Sequence, residues 1–336
     1  MQNTTSRKAS LGALAVLLFV SLLPKLASAQ TPSPALLVLN KEDNSLSIVD
    51  PATLKTIAQI PTGEGPHEIV ASDDGRLAFV GNYGARTPGS TLSVIDLLAQ
   101  KELHRVDLGA LRRPHGLAFA DGKLWLTAEQ NKLIARYDPV ANQLDWLLGI
   151  GQNGTHMLVF SKDHTLLFTS NIGSDSITLL QRGSDPNAWT LINIPVGKGP
   201  EGADISPDAR EFWAANSGDG TVSIIDVAAK KVTQTLYLRT NHSNRLKFTP
   251  DGKLVLISDP GNNTLVIVDA ATRKEVKRFT VGRQPEGIVI PSDGARAYVA
   301  LAGEKTIAVI DLKTFEVTAR ISVGNGPDGL AWAVRQ

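Results

Sequence analysis

The motif Gly-x-x-Pro-x-Gly, intact or eroded, returns seven times along this chain, and that recurrence restricts the fold more than any other feature. The copies centre on Pro66, Pro114, Thr155, Pro200, Ser243, Pro285 and Pro327, at intervals of 48, 41, 45, 43, 42 and 42 residues. A steady period of this size marks an array of one supersecondary unit, which buries its apolar face only against its neighbours. In the repeat that opens at Pro285, four apolar runs follow one another at 287–290, 296–300, 306–310 and 317–321. They are short and rich in Val, Ile and Thr, which favours strands. Turn residues separate them, Pro291-Ser292-Asp293-Gly294 first and Asp311-Leu312-Lys313-Thr314 later. No stretch beyond the N-terminal leader keeps a 3.6-residue apolar period, so the chain reads as all-β.

Four antiparallel strands in each of seven repeats describe a seven-bladed β-propeller, where radial repetition leaves only short sheet edges. The first repeat, beginning near Ala35, lacks an innermost strand, and the C-terminal run 329–334 is a spare copy of one. That strand is expected to complete the first blade from inside and close the ring. Residues 30–336 then form one domain. Residues 1–29 read as a secretory signal: Arg7 and Lys8, an apolar run over 11–23, then Ala27-Ser28-Ala29 with cleavage after Ala29. The expected location is the periplasm or the medium.

Without the leader the chain carries 31 basic and 33 acidic residues, a net charge of −2. That balance disfavours nucleic acid as a partner, since such binders carry a basic surface. The apolar run of the leader is too short to span a bilayer, so no membrane anchor is expected. The absence of cysteine rules out disulfides and a Cys-x-x-Cys-His haem attachment. A Gly-x-Ser-x-Gly nucleophile elbow and a Walker loop are missing as well. A monomer is expected.

The residue after each motif centre carries the functional signal. In chain order these positions hold His67, His115, His156, Glu201, Asn244, Glu286 and Asp328. Half of the six histidines fall on these seven sites. At the mouth of an innermost strand such side chains are expected to point into the central channel, three imidazoles on one arc and the acids on the other. Imidazole nitrogen suits Zn or Cu, and carboxylate oxygen suits Ca. His67, His115, His156, Glu201, Glu286 and Asp328 are therefore candidate metal ligands. A second ring, at the end of each second strand, reads Asn40, Asn82, Glu129, Asn171, Asn216, Asp259 and Ala302, and is expected to cap its own backbone. An insert after Asn82 places Tyr83 and Arg86 on the same face, although an ordinary loop is the plainer expectation for it. Arg113 and Arg245 flank the inner ring, either to hold an anionic group or to pair with Glu201 and Glu286. Tyr83, Arg86, Arg113, Asn244 and Arg245 are thus the candidate ligand contacts. Trp125, Trp213 and Trp332 are expected in the core.

Segments such as Asn216-Ser217-Gly218-Asp219-Gly220-Thr221-Val222-Ser223-Ile224-Ile225-Asp226 and Val323-Gly324-Asn325-Gly326-Pro327 resemble the YVTN-type β-propeller repeat. The resemblance covers nearly the whole chain after the leader. It implies a propeller and leaves function open, because relatives include lactonase-like propellers and the haem domains of nitrite reductases, and fold does not carry activity. The acidic arc resembles the central calcium site of gluconolactonase-like and paraoxonase-like propellers. The reading preferred on sequence is an exported propeller that binds a small ligand, metal ion or protein partner on the Pro-x-Gly face. The first alternative is a metal-dependent, lactonase-type hydrolase with Glu201 as candidate base. A haem or electron-transfer accessory role is the second.

Overall fold

A computed structural model describes residues 1–5 and 30–336. The expected signal segment lies almost wholly outside the described residues. Among the described residues, no helix is long and apolar enough to cross a membrane.

Seven four-stranded antiparallel sheets make up the structure, each built from strands consecutive in sequence except at the closure. Blade two shows the plan: Pro66–Ala71 is innermost, followed outward by Leu77–Gly84, Pro88–Asp96 and Lys101–Asp107. In blade one the C-terminal strand Pro327–Ala333 lies inside Ala35–Asn40, with Leu36 opposite Trp332 and Val38 opposite Leu330. The closure expected from the spare C-terminal strand is therefore present. Beyond it, Arg335 donates from its backbone to Ser33 Oγ at 2.9 Å and from its guanidinium to the Thr31 carbonyl at 2.8 Å, which ties the two ends together.

Burial explains the residue choice along a blade. The second and third strands are enclosed on both faces and read as continuous apolar runs, as in Ala35–Asn40, which is buried at every position. The outermost strands show one face to solvent and alternate, as in Glu316–Ser322. Adjacent sheets pack face to face, so each apolar cluster draws on two blades. Leu36, Val38 and Val49 of blade one meet Tyr298, Ala300 and Ile307 of blade seven. Phe168 and Phe212 stack between blades four and five with ring centroids 4.2 Å apart. Trp125 and Trp213 are core residues as expected. Trp332 is only half-buried, with its ring 5.5 Å from that of Tyr298.

The motif has a local cause. Its first glycine presents a backbone N–H to a polar side chain of the same blade: Gly63 to Asn82 at 3.0 Å and Gly324 to Asn40 at 2.9 Å. A Cβ at Gly63 would lie 2.4 Å from the Asn82 side chain, so only glycine fits. The residue just before the proline takes a left-handed conformation, at Gly65 (φ 58°) and also at Arg113 (φ 56°). The register then slips by one residue in the innermost strand, between Pro66 and Glu68, Pro114 and Leu117, Thr155 and Leu158, Pro200 and Ala203, and Pro285 and Ile288. A bulge of this kind re-aims the side chains it carries. It occurs at the ring position in every blade just named, and that places the candidate residues at the axis.

Candidate functional site

Two tiers of side chains meet the axis on the Pro-x-Gly face. The deeper tier comes from the residue after the ring position. In four blades that residue is Gly116, Gly202, Gly287 or Gly329, and a Cβ there would collide with the next inner strand, as at Gly116, 2.4 Å from the His156 carbonyl oxygen. In blades two, four and six it is Glu68, Met157 and Arg245. These three converge: Arg245 Nη2 lies 2.5 Å from Glu68 Oε1, and Arg245 Nη1 lies 2.8 Å from Met157 Sδ. All three are buried. They plug the channel and turn its mouth into a cup.

The ring residues form the upper tier. His115 lies at its centre on one side, stacked on His156 at a centroid distance of 3.5 Å and edge-on to His67 at 4.5 Å. Each outer histidine faces a carboxylate through Nδ1. His67 Nδ1 sits 2.5 Å from Asp328 Oδ2, without the alignment of a hydrogen bond, and His156 Nδ1 sits 3.1 Å from Glu129 Oε2. Tyr83 donates its hydroxyl to the same Glu129 at 3.1 Å, packs on His67 and His115, and carries the Arg113 guanidinium over its ring at 4.5 Å. On the opposite arc, Asn244 Nδ2 donates to Glu201 Oε1 at 3.0 Å. Lys41 reaches in from blade one, with Nζ 3.6 Å from Asp328 Oδ2 and 3.4 Å from His67 Nε2.

The charges in this cup are displaced from their ordinary states. Burial, reinforced by neighbouring imidazoles and cations, pushes His115 well below the usual histidine range and keeps it neutral. Burial together with the Asp328 and Glu201 carboxylates raises Glu286 to about 8. Burial alone would raise Asp328 too, but His67, Lys41 and Arg245 outweigh it and hold the carboxyl low. Glu129 behaves likewise, with the hydrogen bonds from His156 and Tyr83 overcoming its desolvation. Burial and the Glu129 charge lift the Tyr83 phenol to about 12.

Several buried atoms of the ring find no partner within the protein: both ring nitrogens of His115, Oδ1 of Asp328 and Oδ1 of Asn244. A cavity of about 540 Å³ opens beside Asp328, lined also by Lys41, Glu42, Glu64 and Glu286 among others; His115 and Asn244 are not among its lining residues. Another, of about 370 Å³, opens at the Ser206–Asp208 turn near Phe248 and Arg273. Its charged residues Arg273 and Glu211 already pair, and none of its lining residues holds a buried unpartnered polar atom.

A family sequence model for YNCE-like beta-propellers matches residues 9–335. The chain belongs to the YNCE-like beta-propeller family. No curated protein matches it significantly. Among solved structures it resembles a putative 6-phosphogluconolactonase from Bacteroides uniformis, with TM-score 0.74, 17% identity, and 90% of this chain and 99% of that one covered. It also resembles the periplasmic gluconolactonase PpgL of Pseudomonas aeruginosa, with TM-score 0.72, 18% identity, and coverage of 91% and 100%. The hydrazine synthase of Kuenenia stuttgartiensis is similar at TM-score 0.69 and 19% identity, over 80% of this chain and 89% of that one. At these identities the likeness is one of fold.

Within this YNCE-like propeller, the candidates fall into groups. His67, His115, His156, Glu201, Asn244, Glu286 and Asp328 do share the mouth. Among the described residues, however, no three His, Asp or Glu side chains are gathered so as to hold a metal ion. The rings stack instead of converging, and Asp328, Glu129 and Glu201 are engaged by His67, His156 and Asn244. Arg245 and Arg113 do not pair with Glu201 and Glu286: the first meets Glu68 and Met157, the second the Tyr83 ring. The reason is reach, since the Arg245 side chain extends across the axis to Glu68 of blade two. Tyr83 joins the site because the insert continues the strands Leu77–Gly84 and Pro88–Asp96 rather than forming a loose loop. Arg86 stands exposed beside Gly84 and Ala85, which line the cavity.

The second ring caps backbone at Asn40, Asn82 and Asp259, but not its own: each accepts from the loop entering the innermost strand, Asp259 from Asn241 N at 2.8 Å. Glu129 departs from this pattern by turning to His156 and Tyr83. Lys41, Glu68 and Met157 were not anticipated at all. Only the alternation of glycine with larger residues after the ring position hints at the last two.

Proposed function

We propose that this protein is an exported propeller, of YVTN-type repeat and periplasmic or secreted, which binds a small polar molecule in the cup on the Pro-x-Gly face. The observation that carries the reading is the set of buried polar atoms without partners at His115, Asp328 and Asn244. Buried polar groups in folded proteins are nearly always satisfied, and an exception at the wall of a cavity is explained by a ligand that supplies the missing bonds. The plug of Glu68, Met157 and Arg245 fits this role, because it gives the cup a floor. The test is calorimetric titration of residues 30–336 with small polar molecules of differing charge, repeated on Glu286→Gln. Binding that weakens in the variant supports the reading, and binding indifferent to it refutes the location.

A second reading, hydrolysis of a lactone, is favoured by the His67–Asp328 pair. Were the Asp328 carboxylate to accept the Nδ1 proton in a hydrogen bond in a tightened complex and Lys41 to leave Nε2, that nitrogen would be placed to activate water as a general base. The candidate base thereby passes from Glu201 to His67. Proton release from glucono-1,5-lactone above the spontaneous rate, lost in His67→Gln, supports hydrolysis; equal rates with and without protein exclude it for that substrate.

A further inference from the structure

We propose that the ligand of this cup is an organic cation bearing a primary ammonium or guanidinium group, held between Glu286 and Asp328. The inference rests on the cup being the ligand site and names the class of molecule that enters it.

The argument starts from donors and acceptors. On the acidic arc, the ring side chains leave Asp328 Oδ1 and Asn244 Oδ1 buried without partners, with the Ser243 hydroxyl, which can donate or accept, also unpartnered beside Asn244. The two ring oxygens are acceptors, since the amide group of Asn244 already donates to Glu201, and of the two residues Asp328 lines the cavity. The Asp328 side chain is only 6% exposed, and its other oxygen is taken by His67 and Lys41. A carboxylate oxygen left in such a place calls for a donor. Ammonium offers three donors and guanidinium five, and neither carries an acceptor that would stay unsatisfied.

Charge points the same way. The cavity wall bears Glu42, Glu64 and Asp328 against Lys41 alone, together with Glu286, which Asp328 on one side and Glu201, two positions away around the ring, push toward its protonated form until a cation arrives. The two arginines close to the ring are committed elsewhere, Arg245 to Glu68 and Arg113 to Tyr83. A phosphate or carboxylate entering here would meet carboxylates. A metal ion would need ligands drawn to one point, which the described residues do not offer. An organic cation spreads its donors over several ångströms, and a cavity of about 540 Å³ accommodates one the size of a diamine or an amino acid.

Lys41 already shows how an ammonium is received. Its Nζ stands between Asp328 Oδ2 and His67 Nε2, while 42% of the side chain remains exposed and free to swing out. It competes with the ligand for the same carboxylate.

The experiment is isothermal titration of residues 30–336 with probes of similar length: putrescine and agmatine as cations, 1,4-butanediol as neutral and succinate as anion. Glucose and gluconate extend the series to sugars. Putrescine and agmatine are expected to bind, more weakly as salt is raised, whereas butanediol and succinate do not. Glu286→Gln and Asp328→Asn each weaken the cations by about 10- to 100-fold, as for loss of a charge-assisted hydrogen bond. Lys41→Met strengthens them by up to about fivefold, the range of a partly exposed ion pair. That gain is one a merely structural role for Lys41 would not produce. Thermal melts confirm that each variant folds, and Glu286→Gln, at a half-buried position, serves if Asp328→Asn does not. Succinate or butanediol binding as well as the diamine overturns the inference, as does cation binding untouched by these substitutions. Glucose or gluconate binding that responds to Glu286→Gln, with no cation binding, keeps the cup and removes the cation. No binding by any probe removes both.

Discussion

Removing one partner of the Glu68–Arg245 pair should destabilise the whole propeller. The guanidinium is 93% and the carboxylate 89% buried on a side-chain basis, 2.5 Å apart and joined from blades two and six across the axis. Glu68→Met leaves Arg245 beneath the cup with Met157 as its floor contact, and Arg245→Met leaves Glu68 with no cation. Breaking a buried pair on one side costs about 3–5 kcal/mol, because the survivor stays desolvated. A domain of roughly 300 residues unfolds with an entropy of about 0.6 kcal/mol/K, so each single change lowers the melting temperature by about 5–8 °C. The double change removes both charges and fills the space with thioethers beside Met157, which should recover most of that loss. Urea unfolding of the wild type, both singles and the double closes the cycle. Single effects below about 1 kcal/mol, or a double equal to the sum of the singles, would refute the idea of a coupled plug.

Three further outcomes follow from the same coordinates. Glu286 has a folded pKa of about 8, above its unfolded value of 4.5, so its contribution to stability is complete below 4.5 and is lost as pH rises through 8. Glu286→Gln should therefore gain on wild type over that window, by at most about 1.4 kcal/mol per pH unit, in pH-resolved melts; no trend would contradict the raised pKa. His115 is neutral when folded, so stability present above its ordinary pKa is lost as pH falls. His115→Leu should flatten the acid limb of the melting profile and, by removing nitrogens whose isolation costs about 1–3 kcal/mol, stay as stable as wild type at pH 7 while ligand binding declines. Gly116→Ala puts a Cβ 2.4 Å from the His156 carbonyl oxygen and should cost about 1–3 kcal/mol. Gly149→Ala, whose Cβ meets nothing within 4 Å, should stay within about 0.5 kcal/mol in the same denaturation series.

Repetition made the fold readable. One structural unit written seven times averages out the ambiguity of any single apolar run, and a C-terminal run without a sheet of its own had to complete Ala35–Asn40. The ring was readable for the same reason: a single register position at seven places, holding His67, His115, His156 and four polar partners. What joins those positions across the axis was not. Glu68 and Arg245 are 177 residues apart, and no local pattern announces that they meet across the axis. Glu129 stands where Asn40 and Asn82 cap their own blades. Its longer side chain, and a histidine in the neighbouring blade, turn it to the ring instead. Lys41 follows a strand end, and nothing in the repeat spacing marks it out. The stacking of His115 on His156 also lay beyond reach, because spacing gives neighbours around a ring but not ring planes.

The most direct test of the account is a crystal structure of residues 30–336 grown with agmatine. The account predicts density in the cup, within hydrogen-bonding distance of Asp328 Oδ1 and the Glu286 carboxyl, above an intact Glu68–Arg245 floor. Density instead at the opposite face, in the cleft near Phe248 and Arg273, with the cup filled only by solvent, would contradict it.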